Sequence, residues 1–136
     1  MTYQGLTEVI RWASSEEPNV RYVGFDDVYK LNAMPSIDYC VVYAILDSVS
    51  STIDSQTFRF TLYYIDRWDE TEENQSMIWS AGISALNNIV RKINEQTDGI
   101  LWPITHRPFW QKFKDVCAGV MCDVDIVVPA AGYCAE

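Results

Sequence analysis

The stretch from Asp54 to Asn94 constrains the fold most, because a strict two-residue alternation gives way there to a helical repeat across one short acidic turn. In Thr57-Phe58-Arg59-Phe60-Thr61-Leu62-Tyr63-Tyr64-Ile65, β-branched and aromatic residues alternate as a half-buried strand requires. Phe58, Phe60, Leu62 and Tyr64 form its core-facing row. Arg59, Thr61, Tyr63 and Ile65 point the other way, and a row this aromatic and aliphatic predicts a covered surface rather than a plain solvent face.

Beyond Asp66-Arg67-Trp68, the run Asp69-Glu70-Thr71-Glu72-Glu73-Asn74 puts carboxylates near the positive end of a helix dipole, so a helix is expected to begin within Thr71–Asn74. At about 100° per residue, Ile78, Gly82, Ala85, Leu86, Ile89 and Ile93 share one face, with Ser80, Ser84, Asn87, Asn88, Arg91 and Lys92 opposite. Trp79, Ile83 and Val90 widen the apolar sector on one shoulder, beyond what contact with a single sheet needs. Either a second surface meets that shoulder or a loop or terminus of the same chain covers it.

The remaining elements follow from spacing and breakers. Leu6, Val9, Ile10 and Ala13 have the spacing of a short amphipathic helix, ended by Ser14-Ser15-Glu16-Glu17-Pro18. Val20–Phe25 reads as a strand, Asp26–Asn32 as a loop or irregular edge, and Met34-Pro35-Ser36 as a turn. Tyr39–Val49 is apolar on both alternations, which predicts a central strand covered on both faces. Ser48–Ser55 reads as a polar turn, short enough to make an antiparallel hairpin with the strand at Thr57. Thr97-Asp98-Gly99 supplies a glycine stop for the long helix. Ile100–Ile104 reads as an edge strand because of Pro103, and His106–Lys114 is a basic, aromatic island. In the last strand Val120, Cys122, Val124, Ile126 and Val128 share one face, with Asp123 and Asp125 on the other. The expected architecture is a single α+β domain over residues 1–128, with a short tail at 129–136. It is a mainly antiparallel β-sheet with an N-terminal helix and one long amphipathic helix packed on one face.

Composition narrows the function. A chain of 136 residues buries roughly two thirds of its unfolded surface and needs no disulfide staples. Met1–Gly5 leads into mixed sequence without an apolar h-region, so Cys40, Cys117, Cys122 and Cys134 are expected as thiols in a chain made in the cytoplasm. No apolar run approaches the roughly 20 residues of a membrane span. With 10 Lys plus Arg against 19 Asp plus Glu, the net charge of −9 argues against general affinity for nucleic acid. Five Trp and eight Tyr suit either a large core or an interface.

Chemistry is hard to assemble from these residues. His106 is the sole histidine, and its nearest nucleophiles, Thr105 and Cys117, sit in no nucleophile motif. Cys117 and Cys122 lack a second ligand pair and, an odd number apart, face opposite sides of one strand, against a zinc site. Asp66, Asp69, Glu70, Glu72 and Glu73 lack the order of a calcium loop, and the glycines are too dispersed to cradle phosphate. The expectation is a non-enzymatic chain with no catalytic residue, metal or cofactor.

The strand Phe58–Arg67, the helix Ile78–Ile93, the closing Phe113–Ile126 and the first helix Leu6–Trp12 together resemble small head-to-tail connector proteins of tailed bacteriophages, of the tail-terminator or tail-completion kind. The resemblance is strongest to short virion proteins of phages of Bacteroides-like gut bacteria, including crAss-like phages. It implies a structural virion protein of the tail or neck, made in the bacterial host cytoplasm. Its partners would be copies of itself in a homo-oligomeric ring, neighbouring connector, portal or tail proteins, and double-stranded DNA passing through the lumen without specific binding; no membrane is involved. A ring needs heterologous surfaces that close on themselves, and Tyr63, Ile65, Arg67, Trp79 and Ile83 are the expected subunit contacts. The alternative is a small monomeric protein-binding module without catalytic activity, using His106–Lys114 as its site.

Overall fold

The computed structural model describes residues 2–25, 39–112 and 116–129. The expected loop at Asp26–Asn32, the turn at Met34-Pro35-Ser36, Phe113 and Lys114 of the basic island, and the tail beyond Pro129 lie outside those residues. In chain order the elements are α1 (Tyr3–Ser15), β1 (Tyr22–Gly24), β2 (Val41–Ser51), β3 (Ser55–Arg67), α2 (Glu72–Thr97), β4 (His106–Lys112) and β5 (Val116–Pro129). The strands form one sheet in the order β1-β2-β3-β5-β4. Every neighbouring pair is antiparallel except β1 with β2. Both helices share one core with a single face of that sheet, the α+β arrangement expected from the patterning.

Both helices begin on a side-chain cap. Thr2 Oγ1 accepts from the Gly5 N–H at 3.1 Å, and Thr71 Oγ1 accepts from the Asn74 N–H at 3.1 Å, each satisfying a donor the helix itself cannot pair. The Asp69 carboxylate takes the Thr71 N–H and hydroxyl, at 2.9 and 2.6 Å, and these bonds hold it below the usual carboxylate range. At the other end of α2 the expected glycine stop is displaced by one residue. Asp98 takes the left-handed conformation, φ 50° and ψ 32°, which its short polar side chain tolerates. Gly99 serves a different need: a Cβ there would strike the Val127 carbonyl, where the chain pairs through Val127 N–H to Gly99 O at 2.8 Å.

The alternation of β3 divides the sheet into two faces. Phe58, Phe60, Leu62 and Tyr64 lie under the helices together with Val120, Cys122, Val124, Ile126 and Val128. From the helices, Leu6, Ile10 and Ala13 of α1 and the expected face of α2 close this core, with Val90 of the shoulder fully buried as well. Each large aliphatic side chain buried here stabilises the fold by about 1.5–3 kcal/mol.

Three local expectations are corrected. Tyr39–Val49 is an interior strand, flanked by β1 and β3, but it is not covered on both faces throughout: β2 is buried on both alternations only over Val41–Ala44. The rest of β2 is progressively exposed, past a register shift between Leu46 and Ser48. The expected Ser48–Ser55 turn is shorter, because pairing continues to Ser51 with Gln56 and only Thr52–Asp54 turns the chain. Thr52 stabilises that tight turn, bonding Asp54 Oδ1 at 3.0 Å and Ser55 Oγ at 2.8 Å. Ile100–Ile104 is no strand, since it makes one isolated bridge, Ile100 to Ile126; the edge strand begins at His106 and carries Pro108.

Helix α2 lies close on the sheet at Gly82, where a Cβ would stand 2.8 Å from Val120 Cγ2 and 2.9 Å from Tyr64 Cδ1. Gly82→Leu is therefore expected to destabilise the chain by about 1–3 kcal/mol through overpacking, despite leucine's better helix propensity. Urea unfolding checks this; an unchanged or higher midpoint would show that the helix lifts off without loss.

Candidate functional site

The sheet face turned away from the helices has two halves. In one, Val41, Tyr43, Ile65 and Cys117 are buried, with Tyr39, Ile45, Tyr63 and Phe109 packed against them. Tyr63 meets Phe109 edge to face at 6.2 Å, the Arg67 guanidinium lies over the Tyr39 ring at 5.4 Å, and the Cys117 thiol donates to the Tyr39 hydroxyl at 3.2 Å. The other half is a polar ladder across β3, β5 and β4. Arg59 grips Asp125 with two bonds of 2.8 and 3.0 Å; Thr61 donates to Asp123 at 2.9 Å, and Arg107 reaches Asp123 at 3.2 Å. The Arg59 bonds hold the Asp125 carboxyl below its usual range. The covered surface read from the β3 alternation is thus covered over its aromatic half and charged over the rest.

The five residues expected at subunit contacts do not form one patch. Tyr63, Ile65 and Arg67 lie on the open sheet face, where Ile65 is fully buried, Tyr63 half-buried and Arg67 exposed. Trp79 and Ile83 lie on α2, on the opposite side of the sheet. The Trp79 indole donates to the Phe109 carbonyl of edge strand β4 at 3.0 Å, so part of the helix shoulder is covered by the same chain. Ile83, one turn further on, is exposed.

The single histidine sits in β4 opposite Cys122, on the helix-facing side of the sheet. Burial lowers its pKa below the ordinary histidine value, and its buried Nδ1 has no hydrogen-bond partner among the described residues. Cys117 faces the other side, so His106 and Cys117 do not meet across β5. Burial pushes the Cys40 and Cys122 thiols up to about 12. Among the described residues, no three metal-ligating groups come together, and no helix is long and apolar enough to cross a membrane.

A feature that the linear reading passed over is a polar cleft between the turn after α1, the end of β3 and the start of α2. It has two adjoining chambers of about 290 and 270 Å³ that share Asn19, Tyr64 and Ala81. Asp66 and Asn74 line the first; Glu17, Ser84 and Asn88 line the second. Glu17 is buried, with Asn88 Nδ2 at 3.4 Å and Lys92 Nζ at 3.8 Å. Burial raises the Asp66 carboxyl above its ordinary pKa, a shift only partly offset by the Arg67 N–H that donates to it at 2.8 Å. Burial also pushes the Tyr64 phenol far up, helped by its hydrogen bond to Cys40. The signal was present in the alternation: Phe58, Phe60, Leu62, Tyr64 and Asp66 occupy one phase of β3, and a carboxylate in a core-facing row marks a cleft or a partner.

No protein-family model matches this chain, and no curated protein matches it.

Because the folded pKa of Asp66 is raised, its charged form costs stability, nothing below the unfolded value of about 3.9 and progressively more as pH rises through the folded value. Asp66→Asn is expected to raise the urea midpoint at neutral pH, with the gain disappearing toward pH ~4; a loss at neutral pH would mean that the carboxylate is compensated within the fold. Separately, Cys40, Cys117 and Cys122 should resist iodoacetamide in the native protein at pH ~8, where an ordinary thiol reacts, and label once urea unfolds the chain. Peptide mass spectrometry reads this directly, and native labelling of Cys122 would contradict its place beneath α2.

Proposed function

We propose that this chain is a structural virion protein of a tailed phage, forming a ring at the head-to-tail connector or the tail terminus through which DNA passes. The resemblance in element order motivates the reading, and the distribution of exposed apolar side chains supports it. A ring subunit touches its two neighbours through two different surfaces, so it needs two sticky regions that do not overlap. Val49, Ile53, Leu101 and Trp102 are exposed near the β2–β3 hairpin end of the sheet, where Ile53 at the tip is 87% accessible. Met77 and Trp110 are exposed at the opposite end, where β3 closes against the start of β5. Tyr3, Trp12, Tyr22 and Ile83 are exposed elsewhere but less fully, and the more exposed apolar groups at the two ends are what head-to-tail contact would use. The net charge of −9 suits a lumen that DNA traverses without sticking.

The reading of the chain as a monomeric protein-binding module draws on one observation, the exposed Trp110 on edge strand β4, where a peptide would add as a further strand. Self-association separates the two readings.

Single-particle imaging and light scattering at high protein concentration are expected to give closed rings and a multiple of the 15.6 kDa chain mass. Ile53→Asp should disperse them without lowering the melting temperature, because a side chain this exposed contributes almost nothing to the monomer core. A monomer at every concentration, indifferent to Ile53→Asp, would favour the binding module.

A further inference from the structure

The polar cleft is used by nothing in the ring reading, and its chemistry is one-sided. Among its described lining residues none is Lys, Arg or His, whereas Asp66 stands in one chamber and Glu17 in the other. Among the described residues Lys92 pairs with Glu17, at 3.8 Å. Among the described residues the Asp66 carboxylate accepts one hydrogen bond, from the Arg67 N–H, and the Arg67 charge offsets only part of its burial, although an ionised carboxylate offers about four acceptor positions. A half-buried carboxylate short of donors is costly to keep charged, and a cation beside it removes that cost.

The walls between the two carboxylates are largely carbon. Ala81 and the Tyr64 ring are shared by both chambers, with Ile78 on one side and Val20 and Ala85 on the other. The side-chain amides of Asn19 and Asn74 stand at the Asp66 end. An anion would meet repulsion here, and a neutral solute would leave Asp66 uncompensated. A compact inorganic cation would not use the apolar wall.

We propose that this cleft binds an aliphatic ammonium group, its head on Asp66 and its stem along Ala81 and the Tyr64 ring. A diamine matches the cleft best, because the contacts of Glu17 at 3.4 and 3.8 Å are long enough to give way to a second ammonium. The same chemistry arrives in two forms, a free amine or the basic side chain of another copy of this chain.

The test is a calorimetric and NMR titration with 1,5-diaminopentane, with pentane-1,5-diol as the uncharged control and sedimentation run alongside. The diamine should bind at one site and shift the side-chain amide signals of Asn19, Asn74 and Asn88, and the diol should do neither. Asp66→Asn, which burial allows to fold, should weaken binding about ten- to hundredfold, the loss of one charge-assisted hydrogen bond. Glu95→Gln, which removes an equal charge from the exposed side of α2, should leave it unchanged. An unchanged sedimenting mass identifies a free amine as the occupant; an assembly that added diamine disperses identifies a neighbour's side chain, and either supports the cleft as an ammonium site. No saturable binding at millimolar diamine together with no effect on mass, equal binding of the diol, or full binding by Asp66→Asn would overturn it.

Discussion

Strand β3 has hydrogen-bonded neighbours along both edges and different chemistry on its two faces, and the rest of the structure depends on that. It pairs with β2 on one side and with β5 on the other, from Ser55 with Pro129 to Arg67 with Cys117. Two neighbouring elements approach it closely at Tyr64. Gly82 lets α2 down onto that ring, and Gly119 lets β5 approach so closely that a Cβ would collide with the Tyr64 carbonyl, while the Phe109 ring fills the space above. Two glycines on different elements thus serve one close approach, each for want of a side chain rather than for an unusual backbone angle.

That tightness bears on function. Tyr64 reaches from the packed centre into the polar cleft, where its hydroxyl bonds to Cys40 and both Asp66 and Glu17 act on it electrostatically. A ring wedged between a helix and a sheet has few rotamers open to it, so the cleft wall it forms is preorganised. The open sheet face works differently: its aromatic half is consumed by contacts within the chain, and its polar half by Arg59–Asp125 and Arg107–Asp123. Among the described residues, exposed apolar side chains stand at each end of the sheet as well as at Trp12 and Ile83 on the helices, and the proposed assembly uses the two ends rather than the face.

Long periodic segments were legible without a structure. The two phases of β3, the buried row of α2 and the alternation of Val120–Val128 all sit as their spacing demands, because a residue's face in a strand or helix is set by local geometry. Boundaries and irregular pieces were not. Ile100–Ile104 has strand-like composition, yet it is pinned by one bridge and by Leu101 N–H to the Asp125 carbonyl, too little to make a ladder. The serine-rich end of β2 reads as a turn, yet it pairs across to Gln56–Arg59, where backbone hydrogen bonds outweigh weak side-chain preference. The expected contact residues lie on two sides of the sheet, as two different surfaces would, but Ile65 and Trp79 are engaged by their own chain, because spacing within one element says nothing of which other elements cover its face.

By itself the sequence determined the fold class, the start of α2 within Thr71–Asn74 after the acidic turn, the inward rows of β3, α2 and β5, and the opposite facing of Cys117 and Cys122, since all of these follow from periodicity and local signals within a few residues. Only the tertiary structure decided that β3 is the middle strand of the five, that Ile65 and Trp79 are engaged by their own chain, and that Asp66 and Glu17, far apart in the chain, flank one tyrosine in one cleft. Those outcomes depend on which strands pair and how closely a helix settles on them, and such long-range contacts leave no periodic trace in the chain that makes them.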